Sequence, residues 1–253
     1  MTIPVTNNHQ FLPFKLPIKP ETFTTLLKTE STFMSDTQTE VLIREGWEKV
    51  TRRMSERNWP YFDGPLVRVE RVEDDESGII VVVATGATYR QVIGLRAHAS
   101  ETYVQLSKSQ LPNALSVIAL IKTSDNQLVL NQRASGDWEV SHELIGGFVR
   151  VGTTDLVTSI NSFMAKDLSI NDTDIAQHNL HSIGHYPAIL ETMVVFDIAL
   201  NITLAELLLR GNNAETVQAI NIENEAEDCV QKAVSGLVMH PPSLTILAYR
   251  YSK

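Results

Sequence analysis

The chain has 253 residues, 43% of them apolar and 20% charged, and a net charge of -9. That length can bury a sizeable core in one large or two small domains, and the composition is ordinary for a globular protein. The acidic balance, with no basic stripe against it, argues against nucleic-acid binding by phosphate neutralisation, and the single Cys229 rules out an internal disulfide framework.

No run of residues approaches a membrane span, and no charged and apolar leader opens the chain. A cytoplasmic protein with no membrane partner is the expectation. Residues 1–35, rich in Thr, Ser and Pro with Pro13, Pro17 and Pro20 spaced through them, read as a flexible arm without its own core. Ser35-Asp36 then caps a helix to about Asn58, with Val41, Leu42, Trp47, Val50 and Met54 as its apolar stripe. Asn58-Trp-Pro60 ends it. Alternation over Pro65–Glu73 and an apolar run over Gly78–Ala84 predict a hairpin with its turn at 74–78, and a short helix or loop follows at Tyr89–Leu95. Residues 36–111 are thus expected to form a helix and hairpin subdomain, and 112–253 a second domain.

The second part begins with a strand (Leu115-Ser-Val-Ile-Ala-Leu-Ile-Lys122), a turn (Ser124-Asp-Asn126) and a strand ending in Gln132-Arg133. Trp138, the pair Gly146-Gly147 and a helix closing with Lys166-Asp-Leu-Ser-Ile170 come next. Strands are expected at Asn179–Tyr186, Leu190–Leu200 and Glu215–Ile222, with helical segments at Leu204–Arg210, Glu223–Ser235 and Pro242–Tyr251. Strands with few interposed helices indicate α+β, a mixed sheet with helices on its faces.

The order strand, turn, strand, twin glycine and helix resembles the Nudix family, hydrolases of nucleoside diphosphates linked to another group. Its box is Gly-x5-Glu-x7-Arg-Glu-U-x-Glu-Glu-x-Gly-U, with U apolar. Here Gly146, Gly147 and Gly152 match its glycines, Arg150 stands at the first acidic position, and Thr153 at the next. Aligned from the helix end, Ser162-Phe163 replaces Arg-Glu, Met164 takes the apolar position, and Lys166-Asp-Leu-Ser-Ile170 replaces Glu-Glu-x-Gly-U, with one extra residue between. Upstream, Trp59-Pro-Tyr-Phe-Asp-Gly-Pro-Leu-Val-Arg-Val69 and Thr88-Tyr-Arg-Gln-Val-Ile-Gly94 are similar to a UDP-sugar-hydrolysing branch of that family. The resemblance implies a Nudix-type mixed sheet sandwiched between helices, with the N-terminal part packed on it, and a homodimer.

The family's chemistry needs carboxylates at i, i+3 and i+4 of one helix, which put three oxygen donors on a single face to hold Mg2+. Here that face carries Phe163, Lys166 and Asp167, so Asp167 alone remains as a metal ligand, beside an ammonium. No cofactor is expected, and Mg2+ only if hydrolysis survives. Arg133, Arg150 and Lys166 are the candidate phosphate-binding cations, and Trp138, Gly146 and Gly147 complete the candidate ligand site. Arg150 in place of an acid would turn a metal-holding corner into an anion-holding one.

His142, Glu143 and Glu191 are candidate proton-transfer groups, and Glu143, Asp167 and Glu191 are candidates to converge as displaced metal ligands. The bland alternatives are surface charges that never meet, a salt bridge for Arg133 and a core or lid position for Trp138. Three functions stay open. The first is a Nudix-type protein that binds a nucleotide-like small molecule without the usual hydrolysis. The second is a repurposed enzyme using metal-free acid–base chemistry, and the third a nucleotide-sugar hydrolase with relocated ligands.

Overall fold

The computed structural model describes residues 12–13, 25–58, 61, 63–75, 78–98, 106–133, 141–153, 155–211, 213–222 and 237–251. Trp138 and the helix expected over 223–235 lie outside them. The chain divides into two units whose sequences interleave: Met1–Ser116, Phe148–Leu156 and Ile183–Met193 form one, and Val117–Gly147, Val157–Ser182 and Val194–Lys253 the other.

In the first unit, β1 (Leu12–Pro13) pairs with His185 and Gly184. A mixed sheet is built from β2 (Thr25–Thr32), β3 (Pro65–Asp75) and β4 (Gly78–Thr88). β3 runs antiparallel to β4 with Val69 opposite Val83, and β2 runs parallel to β4 with Leu27 opposite Val81. The segment expected as an arm thus contains a strand. Its local composition is a weak prior; the backbone edge of β4, whose Ile79, Val81, Val82, Val83 and Ala84 are all buried, supplies the pairing.

Helix α1 (Thr37–Glu56) starts at Asp36, whose side chain accepts from Thr39 N at 2.8 Å. Its buried stripe is Ile43, Gly46, Val50 and Met54, while Val41 is exposed, because spacings of three and four residues from Ile43 leave Val41 on the other side. β4 extends past Ala84 to Thr88, whose hydroxyl and the Gln91 side chain form the capping box of α2 (Tyr89–Arg96). The two helices meet backbone to backbone: a Cβ on Gly46 would lie 1.9 Å from the Gly94 carbonyl oxygen. Ile43, Leu95, Leu106, Leu111 and Leu190 pack beside that crossing.

The second unit takes β5 (Ala114–Lys122) from Val117 onward and turns at Asn126, whose positive φ and N–H bond to Thr123 O reverse the chain. β6 (Gln127–Gln132) pairs antiparallel with β5 (Ile121 opposite Val129) and with β11 (Val217–Asn221; Val129 opposite Ala219). Two short strands not expected from the sequence, β7 (His142–Glu143) and β8 (Ile145–Phe148), precede α3 (Leu156–Leu168), which buries Ile160, Met164 and Leu168. β9 (Ile175–Tyr186) and β10 (Glu191–Leu200) follow, then α4 (Leu204–Leu208). The strand expected from Glu215 opens instead with one helical turn, α5 (Asn213–Thr216), because Asn213 is buried and its amide donates to Leu168 O and Leu207 O. α6 (Pro241–Tyr251) completes an α+β chain with a mixed sheet. Among the described residues no helix is long and apolar enough to cross a membrane.

One ion pair beside α3 carries a pH prediction. The Asp174 carboxylate accepts from both Arg210 Nη atoms and, at 2.8 Å, from Asn171 N, and the Arg210 bonds above all hold its pKa below the usual carboxylate value. A depressed folded pKa contributes stability that is complete above the unfolded value of about 4 and is lost as pH falls through the lower folded value. Arg210→Ala is therefore expected to raise the pH at which acid unfolding sets in, with little change in that midpoint expected for an exposed control such as Arg44→Ala. Far-UV circular dichroism across pH 2–6 (about the carboxylate range) checks it.

Candidate functional site

Backbone lies against Gly146 and a side chain against Gly147. A Cβ on Gly146 would fall 2.1 Å from Val117 O, so only glycine lets β8 approach β5 there. A Cβ on Gly147 would fall 2.7 Å from two ring atoms of Phe163. The phenylalanine ring of α3 is thus seated directly on the second glycine. One turn on, Lys166 is exposed with its Nζ 3.4 Å from Asp167, whose side chain is 26% exposed.

The helical face that the box motif would fill with three acids presents a ring, an ammonium and one carboxylate. A hard divalent cation wants six or more oxygens, several of them anionic. This donor set does not fit one, and among the described residues no group of three or more His, Cys, Asp or Glu could hold a metal. Ser169, at the motif's glycine position, has φ 55°, the left-handed conformation that closes a helix, and Ile170 N donates to Met164 O. Asn213 Nδ2 donates to Leu168 O at 2.7 Å and Arg210 Nη1 to Ser169 O at 3.3 Å, satisfying carbonyls that the helix leaves open.

A second polar group of the same unit forms where β6, β7 and the start of α6 meet. Arg133 N donates to Ser141 O at 2.9 Å, and the Arg133 guanidinium donates through Nη1 to Glu143. His240 Nδ1 lies 3.8 Å from the same Glu143 oxygen. His142 N donates to Val238 O and His240 N donates to His142 O, both at 2.7 Å, so β7 is stitched to the residues that enter α6. Buried Ser243 Oγ accepts from Leu144 N at 3.0 Å and lies 3.5 Å from His240 Nδ1.

Arg133 and Glu143, singled out separately in the sequence, form one ion pair. His142 contributes its backbone to this junction, and its buried Nδ1 has no hydrogen-bond partner. His240 and Ser243 escaped sequence reasoning. The one available signal was His-Pro-Pro-Ser, in which prolines fill early helical positions that need no N–H.

Glu191 belongs to the first unit and is buried there. Arg96 Nη2 and Ser116 Oγ both donate to its carboxylate, the latter at 2.8 Å, while Arg96 Nε donates to Ile189 O. The same guanidinium stacks 5.6 Å from the centre of the Phe148 ring. Tyr89 meets Phe148 edge-on at 5.9 Å, and Trp47 meets Tyr89 at 6.2 Å. Arg150 is exposed in this unit, its backbone bridged to Leu66. Each of the three carboxylates considered as displaced metal ligands has a partner of its own: Arg133 for Glu143, Lys166 for Asp167, and Arg96 with Ser116 for Glu191.

No protein-family model matches the chain, and no curated protein does. Among solved structures it is similar to DR0079 from Deinococcus radiodurans at 13% identity and a TM-score of 0.44, over 75% of this chain and 99% of that one. A mutT/nudix family protein from Listeria innocua gives 12% identity and a TM-score of 0.40, over 55% and 91%. The NUDIX domain of Shewanella oneidensis NrtR, in complex with ADP ribose, gives 12% and 0.38, over 61% and 98%.

Proposed function

We propose that this chain is a Nudix-like protein that binds a nucleotide- or phosphate-containing small molecule without Mg2+-dependent hydrolysis of it. The observation that carries the reading is the Phe163 ring on Gly147, followed one turn later by Lys166 paired with Asp167. An ammonium and a ring there leave anion binding to cations rather than to a metal bridge. Exposed Arg150, which belongs to the first unit and stands where the motif has an acid, is a separate candidate cation and is tested by itself.

The test is isothermal calorimetry with UDP-glucose and ADP-ribose, with EDTA or with Mg2+. Binding is expected to survive chelation and to weaken at least about tenfold in Arg150→Ala, the loss of one charge-assisted contact. Binding that needs Mg2+ and ignores that substitution contradicts the reading.

A metal-free acid–base enzyme is the second reading, and one observation favours it: His240 Nδ1 stands 3.8 Å from Glu143, a separation that a bound molecule can bridge. It predicts turnover that persists in EDTA and fails in Glu143→Gln. A soluble cytoplasmic homodimer remains part of the proposal, and size-exclusion chromatography with light scattering tests the dimer.

A further inference from the structure

Among the described strands of five or more residues, β2 and β11 are the two that pair with a single neighbour, β4 and β6 respectively. A free edge is a template for another strand, and proteins usually guard it with charge, proline or a bulge. β2 is guarded: it carries exposed Lys28 and Glu30, and its register on β4 shifts between Thr29 and Ser31. β11 has none of these devices. Its sequence, Val-Gln-Ala-Ile-Asn, holds no charge and no proline, and its register on β6 runs unbroken.

One bond fixes where the backbone of β11 points. Opposed residues of an antiparallel ladder alternately exchange both their backbone bonds or neither. Ile222 N donates to Asn126 O at 3.2 Å, in the register that sets Ile220 opposite Leu128 and Gln218 opposite Leu130, so these are the bonded pairs. Ala219 and Val217 therefore turn N–H and C=O away from β6. The exposed Gln218 side chain donates through Nε2 to Ala219 O at 3.1 Å, supplying the kind of donor that a further strand would bring.

We propose that β11 is a dimer contact, in which it pairs antiparallel with β11 of a second copy of this chain about a twofold axis at Ala219. A twofold contact has to be self-complementary, and this edge is. Ala219 exchanges both backbone bonds with its own copy, Val217 falls opposite Asn221 and Gln218 opposite Ile220. No charged residue of the strand meets a like one. This rests on the homodimer reading and names its surface. So short an edge buries little area, which places the contact among weak, concentration-dependent ones.

Sedimentation velocity on the full chain over a concentration series tests this, with far-UV circular dichroism to check folding. Ala219→Pro removes the outward N–H, a change that an edge strand tolerates. Ala219→Glu sets like charges opposite each other across the axis. Each is expected to raise the dimer dissociation constant at least about tenfold. Thr29→Glu, which adds the same charge to the edge of β2, is expected to leave the dissociation constant within about twofold of the native chain's. A native chain that dimerises equally well with either Ala219 substitution overturns the β11 contact and keeps the homodimer. A native chain that stays monomeric throughout overturns both. If Ala219→Pro does not fold, Ala219→Glu decides alone.

Discussion

Arg96→Leu is expected to destabilise the chain by about 3 kcal/mol, the lower end of the range for removing one partner of a buried ion pair. The lower end applies because the Arg96 side chain keeps 22% of its exposure while Glu191 keeps only 10%. The substitution leaves the Glu191 carboxylate with the Ser116 hydroxyl but without its cation, and it removes the cation stacked on Phe148 together with the donor to Ile189 O. Urea unfolding followed by tryptophan fluorescence measures the loss. The double substitution Arg96→Leu/Glu191→Leu is expected to recover much of it, because the cost lies mainly in the unpaired buried charge. If both variants lose the same amount, packing rather than charge is what Arg96 supplies. This engagement also bears on chemistry: a carboxylate bonded to a guanidinium and a hydroxyl is poorly placed to exchange protons with a ligand until one of them lets go.

Local signals with a stated mechanism were legible in the sequence. Asp36 caps α1, Asn126 makes the β5–β6 turn, and the apolar run over Gly78–Ala84 is a buried strand. Gly146-Gly147 could be placed in the motif, but the reason for the second glycine could not be read. The ring that excludes a Cβ there sits in α3, and nothing in the order of residues says which way Phe163 turns.

Pairings between distant segments were the main blind spot. Thr25–Thr32 gains its strand from β4, His240 is brought beside Glu143 by the residues entering α6, and Arg96 is brought to Glu191 by α2. A stretch's own composition carries little information about such contacts, since strand formation and ion pairing depend on what the fold sets beside them. β7, two residues long, has no periodicity to detect at all.

The box helix gives the second large expected effect. Phe163→Glu/Lys166→Glu would lift the ring off Gly147, remove the ammonium beside Asp167, and place three carboxylates at i, i+3 and i+4 of α3. Such a face supplies the hard oxygen donors that the native one lacks. The double variant is expected to gain a site for Mn2+ with a dissociation constant roughly in the range of weak carboxylate sites, 10⁻⁴–10⁻³ M.

Electron paramagnetic resonance titration of free Mn2+ against the native chain and this variant is the most direct measurement of the account. Native protein should leave the aqueous Mn2+ signal unchanged at equimolar concentration, and the variant should diminish it. A native chain that binds one equivalent of Mn2+ tightly, and releases a mononucleotide from UDP-glucose or ADP-ribose when it does, would contradict the claim that ring and ammonium have displaced the metal.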